Sequence, residues 1–236
     1  MSVERNLLIA ILRLTKTGAV AREILNKDAR ISSDDAGELL QKMQSDGLVY
    51  LKAHTVEADG NQRLKLAIRA LGLGADLEYV SSFLQWQEFE GMAATALIRN
   101  GYAVSNNLRF THAGRKWEMD VVGSRKPIAL CLDCKHWHYG MHPARLKTAV
   151  EEQAQRTSAL SEILPRLDGK VECASWKRVQ LIPAVLSLVA GRVKFIDDVP
   201  IVPILQLQDF LDQLLAYADS LKHFLALRHD LQDRLP

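Results

Sequence analysis

Ala129-Leu130-Cys131-Leu132-Asp133-Cys134-Lys135 is the stretch on which the fold turns. It begins apolar and ends in an acid and a lysine. Successive side chains of a strand point to opposite faces, so Cys131, Asp133 and Lys135 share one face and Leu130, Leu132 and Cys134 the other. An acid and an ammonium therefore stand side by side at the tip of an otherwise apolar strand. The preceding run, Trp117 to Val122, places Trp117, Met119 and Val121 opposite Glu118 and Asp120. If the two strands pair, Asp120 and Asp133 converge. Converging carboxylates repel unless positive charge lies between them, and a hard divalent cation with oxygen ligands is the common solution. The expected ion is Mg2+, with Mn2+ as its substitute.

Outward from this stretch, Gln85 to Asn100 reads as a helix, followed by apolar strands at 103–110, 117–122 and 128–135. A second helix, Pro143 to Leu164, precedes strands at 178–186 and 201–205. The final leucine-rich helix, near Asp209, repeats Leu207, Phe210, Leu211, Leu214, Tyr217, Ala218, Leu221 and Leu225 at close to 3.5 residues. Such a face either closes the core or forms a homodimer interface.

The N-terminal part has a different rhythm. Helices are expected over 4–15 and 19–26, and a third is capped by Ser32 or Ser33 with Asp34 and Asp35 in its first turn. Two strands, 48–51 and 63–68, flank the turn-forming Glu57-Ala58-Asp59-Gly60-Asn61. Helices followed by a β-hairpin give the order of a winged helix-turn-helix. The chain is thus read as α/β (α+β) with two domains: a module resembling a winged-helix DNA-binding domain at 1–70, whose alternative use is protein contact or dimerisation, a connecting helix at 71–85, and a larger α/β domain at 86–236.

Charge is uneven in the 236 residues. From Arg99 to Lys147 there are nine Lys/Arg against three Asp/Glu, and four of the seven histidines lie in the same tract. From Leu71 to Ile98 there are four acids and no Lys or Arg. The excess positive charge surrounds the segment with the converging acids, which suits a polyanionic substrate. Three cysteines cannot build a disulfide framework, and no apolar run approaches the roughly 20 residues of a membrane span, so a cytoplasmic protein is expected.

Here the sequence resembles the PD-(D/E)xK nucleases, the restriction-endonuclease-like family, nearest its Mrr-type and archaeal junction-resolvase-like branches. Asp120 in Trp117-Glu118-Met119-Asp120-Val121-Val122 takes the place of the first motif acid, and Asp133-Cys134-Lys135 that of the (D/E)xK. Asp stands where Glu is more frequent. The helix Trp86-Gln87-Glu88-Phe89-Glu90-Gly91 is similar to the family's first helix and implies Glu90 as a third carboxylate. Glu88, two positions away on a helix, should face elsewhere. Glu151-Glu152-Gln153-Ala154-Gln155-Arg156 matches a helix that supplies a polar residue in several branches, which implies Gln153. The resemblance implies an αβββαβ core, catalysis by Glu90, Asp120, Asp133, Lys135 and Gln153, and a metal site of Glu90, Asp120, Asp133 and Cys134.

Lys42 on the third helix, Arg115 and Lys116 in the basic tract, and His136 just after the catalytic strand are the expected nucleic-acid contacts. The implied activity is metal-dependent hydrolysis of DNA, double-stranded or branched. The alternative is a non-catalytic DNA-binding or regulatory protein on the same scaffold. Cys131, Cys134, His136, His138 and His142 also invite a zinc reading, but strand residues three apart face opposite sides, which opposes Cys131 and Cys134 clasping one ion.

Overall fold

The computed structural model describes residues 3–135, 143–187, 191 and 193–228. It divides into two compact units, Met1–Gly91 and Met92–Pro236. The N-terminal unit has helices and a small three-stranded antiparallel sheet; the C-terminal unit has a mixed seven-stranded sheet with helices.

In the first unit, α1 (Val3–Leu14) buries Leu7, Leu8, Ile11 and Leu12. Its apolar residues fall on one face at helical spacing, which is what drives it into the core. The expected helix over 19–26 is displaced: Val20–Ala21 forms β1, and α2 begins at Arg22 and runs to Ala29. Strand pairing of Val20 with Val56 and Ala21 with Thr55 outweighs the local helical pattern. The third helix, α3 (Ser33–Ser45), is capped by Ser32, whose hydroxyl accepts from the Asp35 amide. Strands β2 (Tyr50–Leu51) and β3 (Thr55–Glu57) complete a sheet in the order β1-β3-β2. This order of helices and strands is that of a winged helix, with a wing shorter than the sequence pattern implies.

The strand expected over 63–68 is instead the middle of α4 (Gly60–Gly72). Asp59 accepts from the Gln62 amide at 2.8 Å while the Gln62 side chain accepts from the Asp59 amide at 3.0 Å. The Glu57–Asn61 turn is thus a capping box, which outweighs the strand-like alternation of Arg63-Leu64-Lys65-Leu66. The connecting helix is interrupted as well: α4 ends at Gly72 and α5 spans Leu77–Ser81.

Helix α6 (Trp86–Arg99) contains the division between the units. The second unit continues with β4 (Ala103–His112), β5 (Arg115–Arg125), β6 (Ile128–Lys135), α7 (Pro143–Ile163) and β7 (Arg178–Ser187), so the expected αβββαβ order is present. β4, β5 and β6 form an antiparallel meander, and α7 carries the chain over to β7, which lies parallel to β6. The second half of β7 pairs in parallel with β9 (Val199–Pro203), whose other edge takes β8 (Phe195–Ile196).

The last helix, α8 (Leu207–Tyr217), is shorter than the leucine pattern suggests. Beyond a single 3-10 turn, Phe224–Leu227 forms β10 and pairs antiparallel with Arg178–Leu181 of β7. There Ala226 is buried and its neighbours Leu225 and Leu227 are exposed, a strand's period of two that overrides the heptad spacing. The core joins Leu108, Phe110, Met119, Val122, Ala129 and Cys131 of the meander to Ala159, Leu160 and Ile163 of α7. Among the described residues no helix is long and apolar enough to cross a membrane.

Candidate functional site

The ladder between β5 and β6 sets Val121 against Leu132 and Val122 against Cys131. One further step brings Asp120 opposite Asp133. At that step the Asp120 carboxylate takes over from the backbone: its Oδ2 accepts from the Cys134 amide at 2.7 Å. Cys134 therefore enters the site through its main chain.

Strand alternation also changes phase here. Met119 and Val122, which a regular strand would send to opposite faces, lie in the same core cluster. Asn107, between the pairs Asn106–Val121 and Leu108–Met119, has a φ of 50°. A left-handed non-glycine residue inside a strand is uncommon and costs of order 1–3 kcal/mol. Its place is directly across from Asp120.

Asp133 is 3% exposed. Its Oδ1 accepts from Arg156 Nη1 at 2.8 Å. Its Oδ2 is buried and lies 3.1 Å from Lys135 Nζ, with no further hydrogen-bond partner among the described residues. Burial is the main cause holding the Asp120 carboxyl above the ordinary carboxylate range. The Cys134 amide opposes that shift, the charge of Asp133 adds to it, and Arg156 and Lys135 oppose it.

Gln153 is fully buried and committed at both ends of its carboxamide. Nε2 donates to the Cys131 carbonyl at 2.7 Å, and Oε1 accepts from Arg156 Nη1 at 2.8 Å. It ties α7 to β6 and aims Arg156 at Asp133. Arg156 is the residue that the sequence reading missed. Gln153 and Arg156 are three apart on one helix face, which brings their side chains together.

The other expected residues are distributed over both units, and one lies outside the described residues. Glu90, 6% exposed, belongs to the first unit. Glu88 is also buried, with Oε1 2.7 Å from Arg63 Nε and Oε2 accepting from the Gln85 amide at 2.7 Å. Arg63 further donates to the carbonyls of Leu12 and Phe83 and to Thr15 Oγ1. Arg115 and Lys116 are exposed at the start of β5, with the Arg115 guanidinium 3.8 Å from the Trp117 ring centroid. Lys116 is about 13 Å along the strand from Asp120 at roughly 3.3 Å per residue. Lys42 is exposed on α3, in company with exposed Asp34, Asp35 and Glu38. His136 lies outside the described residues, as do His138 and His142. Cys131 is a core residue beside Cys173, and burial raises both thiols above their ordinary range.

Among the described residues, no group of three or more His, Cys, Asp or Glu is placed to hold one metal ion. The site is a pair of carboxylates with a pair of cations. The two carboxylates are hard oxygen donors of the kind a divalent cation takes.

Fold and site together define an α/β protein whose second unit ends a central strand in an acid and a lysine. No protein-family model matches the chain. An uncharacterised protein of Archaeoglobus fulgidus is 29% identical over 135 residues, 57% of this chain and 95% of its own length. The solved structure of protein VC1899 from Vibrio cholerae is similar with a TM-score of 0.38 at 13% identity, covering 92% of this chain and 52% of that one. Protein AF1548, of unknown function, gives a TM-score of 0.30 at 15% identity, covering 46% of this chain and 49% of that one. The chain spans about half the length of these two structures.

Proposed function

We propose that this protein is a metal-dependent nuclease that hydrolyses DNA phosphodiester bonds at the Asp120–Asp133 edge. The observation that carries the reading is the convergence of these two acids beside Lys135, with Asp133 Oδ2 buried and, among the described residues, paired with the Lys135 ammonium at 3.1 Å. Asp120 and Asp133 would hold the ion. A divalent cation bound there supplies Lewis acidity toward a phosphoryl oxygen and lowers the pKa of bound water. Lys135, whose side chain is 31% exposed, carries positive charge to the solvent edge, where it can orient a water or offset charge developing on phosphate. Gln153 is a positioning residue. Arg115 and Lys116 extend the positive surface along β5 and suit contact with the nucleic-acid backbone.

The first unit is proposed as the targeting module. A winged helix supplies a helix for the major groove and a flanking wing. Exposed Asp34, Asp35 and Glu38 oppose phosphates at the N-terminal end of α3, so DNA contact is assigned to its Lys42 end.

A second reading, a DNA-binding protein without hydrolytic activity, is favoured by the two protein cations already beside Asp133. A cleavage panel of duplex, branched and single-stranded DNA and of RNA, with Mg2+ or Mn2+, separates the two. Cleavage by the wild type and its loss in Asp133→Ala and Lys135→Ala supports the nuclease. Equal background in all three sinks it, and retained duplex affinity would then support the binding protein.

A further inference from the structure

The proposed cation edge is already neutralised from within. Asp120 and Asp133 carry two negative charges when ionised, and Lys135 and Arg156 carry two positive ones. The two cations are held differently. Lys135 is next but one to Asp133 on the same strand, so its position follows from β6 itself. Arg156 reaches across from α7 and is held in place by Gln153, a fully buried side chain whose hydrogen bonds go to Arg156, the Cys131 carbonyl and the Met119 sulfur. Arg156 uses a single nitrogen, Nη1, for both Asp133 Oδ1 and Gln153 Oε1, and its side chain is 16% exposed. A guanidinium has five N–H donors in a planar fork and frequently engages a carboxylate in a two-pronged contact. Here the contact is one-pronged, at a solvent-reaching edge.

Resting on the nuclease reading, we infer that Arg156 is the exchangeable counter-ion of the site: it occupies Asp133 until a divalent cation arrives, and it must leave that carboxylate for the ion to bind fully. Lys135 and Arg156 already both sit against Asp133, so a divalent ion would be a third positive group there, and like unit charges about 4 Å apart repel by about 4 kcal/mol at an effective dielectric constant near 20. Arg156 therefore competes with the ion instead of supporting it. The inference separates Arg156 from the ordinary second layer of a metal site, where a hydrogen-bonding partner orients the ligand and raises affinity. Gln153 holds Arg156 within reach of Asp133, so the displaced guanidinium stays tethered beside the site and returns when the ion leaves.

The test is calorimetric titration of Mn2+ into the full-length wild type and into Arg156→Gln and Arg156→Lys, with circular dichroism to confirm folding. The expected result is an Mn2+ Kd tighter by about fivefold in Arg156→Gln, the scale of one part-buried ion pair, and near the wild-type value in Arg156→Lys. Binding only in Arg156→Gln, with none in the wild type, supports the inference in its strongest form. Unchanged affinity in Arg156→Gln overturns it and leaves the nuclease reading standing. So does affinity weakened about tenfold or more, the mark of a group that orients the ligand. Absence of binding in all three proteins overturns both. If Arg156→Gln fails to fold, Gln153→Leu, which frees the guanidinium from its holder, carries the same expectation of tighter binding, and its failure to tighten overturns the inference.

Discussion

Each unit contains a buried acid facing an arginine, and the two pairs are built on different terms. In the first unit Glu88 and Arg63 are both almost wholly enclosed, and their donors and acceptors are met by Gln85, Leu12, Thr15 and Phe83. In the second, Asp133 has Arg156 on one oxygen and Lys135 on the other, with no further hydrogen-bond partner for Oδ2 among the described residues, and it lies at the end of a strand beside a second acid. A saturated pair fastens chain segments that are distant in sequence. An unsaturated pair at an edge retains capacity to bind something else. The comparison explains why Glu88, next but one to the residue singled out from the sequence, has a structural part, and why Asp133 is the residue on which chemistry is proposed.

The comparison is broken most directly at Asp133. Asp133→Asn preserves the shape and removes the charge; cleavage is expected to fall by about a thousandfold, roughly 4 kcal/mol in the barrier, measured under single-turnover conditions. The thermal midpoint should move little. Glu88→Ala should do the reverse, lowering stability by about 3–5 kcal/mol through the unpaired Arg63, as read from urea unfolding. Equal stability losses in the two variants would erase the distinction.

Gly123→Ala tests the sheet under the site. A Cβ there would lie 2.9 Å from Leu97 Cδ2, so overpacking of about 1–3 kcal/mol is expected in the same unfolding assay. Asp120 gives a smaller effect that depends on pH. Its folded pKa is raised above the unfolded value, so the native state holds the proton longer and stability falls as pH rises from the unfolded pKa through the folded one. Asp120→Asn removes that cost and should unfold at a slightly higher urea concentration than wild type at pH 7 without metal. The difference should vanish below the unfolded pKa; a variant less stable at neutral pH would contradict the assignment. The smallest effect is at the surface, where Lys116→Ala should reduce the salt dependence of duplex binding by about one unit of slope.

The second unit was the more legible of the two. Long apolar strands with polar tips and a 21-residue helix leave few alternatives, and the pairing of β5 with β6 sets Asp120 opposite Asp133, although the change of phase at Asp120 does not show in the alternation. The first unit was misread where short-range patterns compete. Arg63-Leu64-Lys65-Leu66 alternates like a strand, and only the Asp59–Gln62 box declares the helix. In the last helix, a heptad of leucines masked the change to strand period after Tyr217, because the pairing of β10 with β7 is a tertiary choice. Arg156 was illegible for another reason. Its importance comes from reaching Asp133, 23 positions earlier, and a helix carries no mark of what it will face.

The turnover of phase at Asn107 and Asp120 has a consequence for how this hairpin can change. On its far side Leu108, Phe110 and Met119 are turned inward only because the two strands switch faces together. Deleting a single residue from either strand would leave one half inverted against the other, exposing apolar rings to water. Length in this hairpin is thus locked, and lineages that lengthen or shorten it should do so at the Ala113-Gly114 tip or by paired events across both strands.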